Sequence, residues 1–311
     1  MKKEIVILCI LLVSQVQDSP LTVVCTTTAL QTLVKEVGQE KVDVISLVQP
    51  GVCPAQFDVR PSHVQEMGNA SLVLYHGVEP WLEDLITASQ NEDVEKVLVE
   101  GPWNTPDLAI KKIELIQNAL SQVDPENALF YKTNADEAVN TIEALADSIQ
   151  KEAEPLSVDT IPVLCMDWLK SFVEWMGFTV VGSYPPPDTL SLKDVNDLIT
   201  TGRTYKAVMV IDNLQSGTEL GGEIAAQIDA YHVVLTNFPS AVPGTETIPD
   251  MIEYNAGQLL TTVIQYQEEK GRISELESEL KKEREKKVLF EVFSALLLVV
   301  CVVEAIYLRR K

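Results

Sequence analysis

Histidine is scarce in this sequence, and the common signatures of catalysis are missing. The chain has 3 histidines among 311 residues, too few to suggest a catalytic triad or a zinc hydrolase. It contains no Gly-x-Ser-x-Gly turn, no phosphate-binding loop of the Walker type and no Cys-x-x-Cys pair. The sequence therefore predicts a protein that is not an enzyme.

Basic residues are rare in the central part of the chain. Between residues 20 and 267, 12 Lys and Arg stand against 35 Asp and Glu. Such an acidic surface repels nucleic acid and anionic membranes, so we expect no nucleic-acid partner. It would concentrate cations near the surface, although it serves solubility equally well.

Long apolar runs occur at the two ends only. Residues 1–18 begin with two lysines and the run IVILCILLV, which is typical of an export signal peptide. Residues 288–308, VLFEVFSALLLVVCVVEAIYL, have the length of a transmembrane helix, and a basic tail follows at 309–311. The sequence thus predicts a single-pass protein of the cell membrane whose globular body lies outside the cytoplasm.

Cysteine is limited to 5 residues, and two of them lie in the apolar ends. Cys9 lacks the small neighbouring residues of a lipoprotein cleavage site, so no lipid is predicted there. The body keeps Cys25, Cys53 and Cys165. Since three is an odd number, at least one of these thiols is free or holds a ligand.

Apolar segments in the body alternate between strand-like and helix-like patterns, which predicts parallel sheets covered by helices. We expect an N-terminal α/β lobe at 20–123 and a C-terminal α/β lobe at 157–266. A long backbone helix at 124–156 should join them. Its predicted apolar face consists of Leu129, Ala138, Ile142, Leu145 and Ile149.

The segment at 267–287 is rich in charge and predicts a helical stalk before the membrane helix. Ile273, Leu276 and Leu280 follow the spacing of a coiled-coil seam, but Glu283 occupies its next position. Pairing of two stalks is therefore left open. The predicted fold class is α/β: two lobes with mainly parallel sheets joined by one long helix, followed by the stalk and a C-terminal transmembrane helix.

Several local patterns occur in an order that resembles a known family. They are the loop PGVCPAQFDVRPS and the segments SLVLYHGVEPWLEDL, DPENALFYKTNA and LCMDWLKSFVEWMGFTVVGSYP. Together they resemble the zinc- and manganese-binding solute-binding proteins of metal ABC transporters, over about residues 22–265. The resemblance implies two rigid lobes, a metal held between them by histidines and a carboxylate, and an ABC permease as membrane partner.

The ligand positions of that family are not kept here. Ala55 stands where the first ligand loop of the family has histidine. Trp103 lies near the second histidine position, Met166 is in register with the third, and Asn237 is near the terminal carboxylate. Any metal cargo would thus need other ligands.

Four other residues are the candidate metal ligands: Cys53, His76, Cys165 and Met166. His76 ends an apolar strand at a glycine, the edge where open α/β sheets place their ligands. A set of thiol, imidazole and thioether suits a soft transition-metal ion such as copper(I). Two alternatives stay open: ordinary buried residues, or a disulfide between Cys53 and Cys165.

A larger cargo, such as a metal chelate or an organic solute, is a second possibility. Its polar and aromatic contacts would come from Gln56, Asp58, Trp103 and Asn237, with further aromatic walls at Phe57, Tyr75, Trp81 and Trp168. The predicted function is capture of a metal ion or metal complex for an ABC permease. The alternative is a surface-anchored sensor or adhesion module that has lost metal binding.

Overall fold

The computed structural model describes residues 19–50 and 52–309. Its first lobe contains a parallel sheet with the strand order β2-β1-β3-β4. The strands are Leu21–Cys25 (β1), Val42–Ser46 (β2), Leu72–Tyr75 (β3) and Glu95–Leu98 (β4). The helices that cover this sheet are Thr28–Gly38 (α1), Pro61–Gly68 (α2), Leu82–Ser89 (α3) and Pro106–Val123 (α4).

A 26-residue helix, Ala128–Ala153 (α5), contacts both lobes. Near its start the Asn134 amide donates to the Val37 carbonyl (2.9 Å), and near its end Gln150 donates to the Trp175 carbonyl (3.2 Å). Ala138, Ile142 and Ile149 are buried as predicted.

Leu129 does not belong to the buried face of α5, which corrects the sequence-based prediction. Its side chain is 78% exposed. Leu129 precedes Ala138 by nine residues, and at about 100° per residue this separation places the two on opposite sides of the helix. The buried face of α5 begins instead at Tyr131, which is fully buried.

The second lobe repeats the parallel arrangement with the strand order β6-β5-β7-β8. Its strands are Pro162–Met166 (β5), Thr179–Tyr184 (β6), Met209–Asn213 (β7) and Tyr231–Leu235 (β8). Its helices are Lys170–Trp175 (α6), Leu192–Tyr205 (α7), Glu219–Ile228 (α8) and Ile248–Arg309 (α9). The prediction of two α/β lobes with parallel sheets is confirmed.

One continuous apolar core runs through both lobes. It joins the inner faces of the two sheets to α5 and to the first turns of α9, and its members include Val23, Tyr131, Ile142, Cys165 and Ile252. Each sheet also packs its outer face on a separate apolar cluster, under α2 and α3 in the first lobe and under α7 and α8 in the second. The lobes thus share a core as well as a linking helix.

The closing helix of the second lobe and the predicted stalk are one helix, α9, of 62 residues. Side chains from 270 to 293 are exposed along it. Across the described ranges, no helix is both long and apolar enough to cross a membrane. The anchor at 288–308 stays a prediction, and the predicted signal peptide at 1–18 lies outside the described residues.

Candidate functional site

The carboxyl ends of the strands in one lobe meet those of the other. Trp103, which follows β4, donates its indole N–H to the Asn237 carbonyl beyond β8 (2.7 Å). Thr28, which follows β1, donates its hydroxyl to the Pro239 carbonyl (3.0 Å). We call this region the lobe contact. It lies where open α/β sheets place their ligands.

His76 lies at the lobe contact, immediately after β3, but its ring is fully engaged. Nδ1 lies 3.0 Å from the Val99 carbonyl, so it carries the proton, and Nε2 accepts from the Thr27 hydroxyl at 2.9 Å. The ring stacks on Trp103 with centroids 4.2 Å apart. Burial lowers the His76 pKa, although the Val99 bond opposes this. His76 is therefore a neutral residue that supports Trp103 and has no nitrogen left for a metal.

Glu79 is a buried carboxylate beside His76 that the sequence analysis missed. One oxygen accepts from the Thr26 hydroxyl (2.6 Å) and the His76 amide (2.9 Å), and the other accepts from the Val78 amide (2.8 Å). These three hydrogen bonds supply the partners that a buried carboxylate requires. Glu79 thus fixes the turn that presents His76.

Cys53 lies in the loop after β2 and is partly exposed. A short turn, Pro54–Gln56, follows it and contains Ala55 and Gln56. The Trp81 indole donates to the Pro54 carbonyl (2.8 Å), which ties the turn to α3. Asp58, a little further on, is exposed.

The aromatic residues near this loop pack it against the outer cluster of the first lobe. Phe57 packs against Trp81 and His63, with ring centroids 4.9 and 5.0 Å apart. Phe57, Tyr75 and Trp81 belong to the outer cluster of the first lobe. Trp103 is the residue of the predicted aromatic set whose hydrogen bond reaches the other lobe.

Cys165 and Met166 do not present a thiol and a thioether together. Both are fully buried, and as neighbours in β5 they point to opposite faces of the sheet. Cys165 belongs to the shared core and Met166 to the outer cluster of the second lobe. Burial, with the nearby Asp167 charge, raises the pKa of Cys165 to about 12, so its thiolate is not available.

The predicted soft-metal set is thus not brought together. Cys25, Cys53 and Cys165 are all free, which rules out the alternative of a Cys53–Cys165 disulfide in this structure. Among the residues that the structure describes, no group of three or more His, Cys, Asp or Glu side chains is placed to hold a metal ion. Direct coordination of zinc or manganese requires such side chains.

Amide groups occupy the lobe contact instead. The Asn104 side-chain N–H group donates to the Trp168 carbonyl (2.9 Å) and to Asn237 Oδ1 (3.0 Å). Gln215 Oε1 accepts from the Asn237 amide (3.1 Å). Of these residues, Asn237 was among the predicted ligand-binding positions, whereas Asn104 and Gln215 were not. Their signal was their position, since each follows the end of a β-strand.

Two buried amide oxygens remain without a hydrogen-bond partner in the described part of the chain: Asn104 Oδ1 and Asn213 Oδ1. The two residues are only 2% and 3% exposed. An unpaired polar atom at such depth costs about 1–3 kcal/mol, so native proteins leave few of them. These oxygens are the chemically unsatisfied groups of the site.

A second buried carboxylate, Asp212, lies on the outer face of the second sheet. It accepts from the Tyr184 hydroxyl (2.6 Å) and from His232 Nε2 (2.7 Å). Burial raises its pKa, against the effect of these two hydrogen bonds. A Cβ atom on Gly221 would overlap the carboxylate, so glycine lets α8 approach it. Asp212 therefore links β6 and β8 beneath α8, on the face away from the shared core.

Two parallel α/β lobes, bridged by a long helix and meeting at their strand ends, define a two-lobed ligand-binding protein. The family model described as "ZnuA: Zinc-uptake complex component A periplasmic" matches residues 23–262. The chain belongs to this family.

Curated relatives are distant. A putative metal-binding protein of Treponema pallidum is 27% identical over 169 residues, which cover 44% of this chain and 54% of that protein. The manganese-binding lipoprotein MntA of Halalkalibacterium halodurans is 22% identical over 281 residues, or 79% of this chain and 89% of the relative. The chain spans about half the length of some relatives, including a metal ABC transporter substrate-binding lipoprotein of Lactococcus lactis, at 50%.

Solved structures agree on the fold. The cadmium-bound periplasmic metal binding protein of Candidatus Liberibacter asiaticus superposes with a TM-score of 0.68 at 20% identity, over 78% of this chain and 99% of that one. A crystal structure of ZnuA gives a TM-score of 0.66 at 19% identity, with the same coverage of 78% and 99%.

Proposed function

We propose that this protein is the extracytoplasmic substrate-binding component of a metal ABC transporter. It would take a metal ion or a metal complex between its lobes and present it to an ABC permease. Its role is binding rather than catalysis. The observation that carries this proposal is the family match over residues 23–262, combined with strand ends of both lobes that converge on one polar region.

The amide-lined contact supports a less usual cargo for this role. Neutral amide oxygens are weak ligands for zinc, manganese or copper(I). The formal charge of −22 attracts cations towards the body but does not select one. A transition metal that arrives with ligands of its own fits these facts better than a bare ion.

A second candidate function is a surface-anchored sensor or adhesion module on the same fold. The described residues lack a three-residue metal cluster, and Trp103 and Asn104 join the lobes directly. Both observations favour a protein whose lobes no longer open for cargo.

We also propose that residues 288–308 anchor the chain in the cell membrane, with the body outside. Apolar side chains stand out from this part of α9: Leu289 and Phe290 are each 72% exposed and Phe293 is 62% exposed. Large apolar groups in such a row need cover, which lipid would supply. Full-length protein that a carbonate wash releases from membranes would contradict this anchor.

The test of function is cargo analysis on the full-length chain, purified in mild detergent from the cells that naturally express it. Native mass spectrometry and elemental analysis should find about one metal-containing species per chain, lost on unfolding. The transport role fails if no metal, bare or complexed, co-purifies or binds at micromolar concentration.

A further inference from the structure

The two unpaired amide oxygens come from the two lobes and lie at the carboxyl ends of the strands of the second sheet. Strand β7 lies between β5 and β8, and Asn213 is its last residue. Trp168 lies two residues beyond β5 and Asn237 two residues beyond β8. Asn104 is bonded to both of them. It therefore spans the end of β7, where Asn213 stands.

The orientation of the Asn104 amide is fixed by its partners. Its nitrogen donates to two oxygens, the Trp168 carbonyl and Asn237 Oδ1. A flipped amide would point its own oxygen at both, which is repulsive. Asn104 Oδ1 is therefore an unpaired hydrogen-bond acceptor at the lobe contact.

Asn213 also has one polar side-chain atom without a hydrogen-bond partner. Its amide nitrogen lies 3.0 Å from the Ser216 hydroxyl. Because a hydroxyl can donate or accept, the amide can adopt either orientation, and each leaves one polar atom without a partner. A buried site with one fixed acceptor and one adaptable amide fits a ligand that brings hydrogen-bond donors.

We propose that Asn104 and Asn213 form hydrogen bonds to the outer N–H or O–H groups of a metal complex. The metal ion would keep its own ligands, and no protein atom would coordinate it. This inference rests on the proposed function and specifies its cargo. The indole of Trp103, held by the His76 ring at 4.2 Å and by Asn237, forms the wall beside the amides. The ligand enters when the lobes part and its donors satisfy the two amides.

Hexaamminecobalt(III) is the probe, because its ammine ligands do not exchange and can act only as N–H donors. Titration calorimetry uses the full-length chain in detergent at 0.15 M salt, which weakens diffuse binding to the acidic surface. We expect one site per chain. Zinc chloride, manganese chloride and methylammonium chloride should each bind at least tenfold more weakly.

Variants locate that site. Asn104→Leu and, separately, Asn213→Ala should each weaken hexaamminecobalt(III) binding at least tenfold. Asn134→Leu is the matched control, since it removes another buried amide, bonded to the Val37 carbonyl, and should leave the affinity within twofold. If Asn104→Leu unfolds, Asn213→Ala still decides.

Four results would overturn the inference. Unchanged affinity in both variants would mean binding to the acidic surface only. Tight binding of zinc or manganese chloride that ignores both variants would leave the transport function standing and place a bare ion elsewhere. A crystal structure could show only an ordered water between the two amides, while calorimetry shows no binding of the cobalt complex. Asn104 and Asn213 would then have a structural role and no ligand. Equally tight methylammonium binding that both variants abolish would identify an organic amine and contradict the proposed transport of metal.

Discussion

Each lobe buries one carboxylate, but the two are used differently. Glu79 in the first lobe receives hydrogen bonds from Thr26, His76 and Val78 beside the lobe contact. Asp212 in the second lobe receives them from Tyr184 and His232 on the outer face. Burial of a titratable group therefore does not by itself mark the binding region of this protein. In both lobes the buried carboxylate stabilises local structure, and neutral amides take part in the contact between the lobes.

The largest expected effect comes from closing the space beside Asp212. Gly221→Ala places a methyl group against a fixed carboxylate, so α8 must move. We expect a loss of about 3 kcal/mol in the free energy of unfolding. Urea titration followed by tryptophan fluorescence measures it. Gly257→Ala is the control, since nothing lies near its Cβ position. A stable Gly221→Ala protein would show that Asp212 is not held tightly.

A slightly smaller effect is expected at the other carboxylate. Glu79→Ala leaves the Thr26 hydroxyl and the His76 and Val78 amides without their acceptor. We expect a loss of about 2 kcal/mol in the same urea assay. The control, Glu83→Ala, removes an exposed ion pair with Lys96 and should change stability by less than about 0.5 kcal/mol. Equal effects for the two variants would contradict a structural role for Glu79.

Mild acid should destabilise the first lobe through His76. Burial lowers the His76 pKa in the folded state. Below about pH 6.5 the unfolded chain therefore binds a proton at this residue more readily than the folded chain does. The contribution of His76 to the free energy of unfolding is therefore fully present above that pH. It falls as the pH drops, by at most about 1.4 kcal/mol per pH unit. The Asp212 pKa is raised above 3.8, so its effect on stability has the opposite slope, starting above about pH 3.8.

The measurement for His76 is the urea midpoint at pH 7.5, 6.5 and 5.5 for the native chain and for His76→Gln. The variant starts less stable because it loses the contacts of the ring, but its midpoint should change less with pH. Parallel curves for the two proteins would assign the acid sensitivity to another group.

The smallest effect concerns reactivity and leaves stability unchanged. Cys25 and Cys165 are buried thiols with raised pKa values, whereas Cys53 is partly exposed. Brief treatment with iodoacetamide at pH 7.5, followed by peptide mapping, should modify Cys53 at least tenfold faster than either. Comparable labelling of Cys165 would mean that the second lobe opens in solution.

The βα order made the architecture predictable, because short apolar runs separated by amphipathic helices leave few alternatives to parallel sheets. Strand alternation was available too: Cys165 and Met166 are neighbours in one strand, so they cannot face the same side. This alternation already contradicts a metal set that contains both side chains. Leu129 was misassigned for a similar reason, since helical phase sets it apart from Ala138.

The engagement of His76 was not predictable from local pattern. Its partners Thr27 and Val99 lie 49 and 23 positions away in the chain. The role of Asn104 likewise depends on Trp168 and Asn237 in the other lobe. Contacts between remote segments decide which polar side chains remain available, and a single sequence does not reveal them.

The unbroken course of α9 has a mechanical consequence. The Tyr231 hydroxyl donates to Glu269 (2.6 Å), and exposed helix continues from there towards the apolar segment that starts at residue 288. At 1.5 Å per residue this strut is about 30 Å long. The same helix forms part of the second lobe. A rotation of its far end about the helix axis would therefore be transmitted to that lobe. With the proposed anchor at residues 288–308, a permease would meet the body at a fixed distance from the membrane and in a fixed orientation.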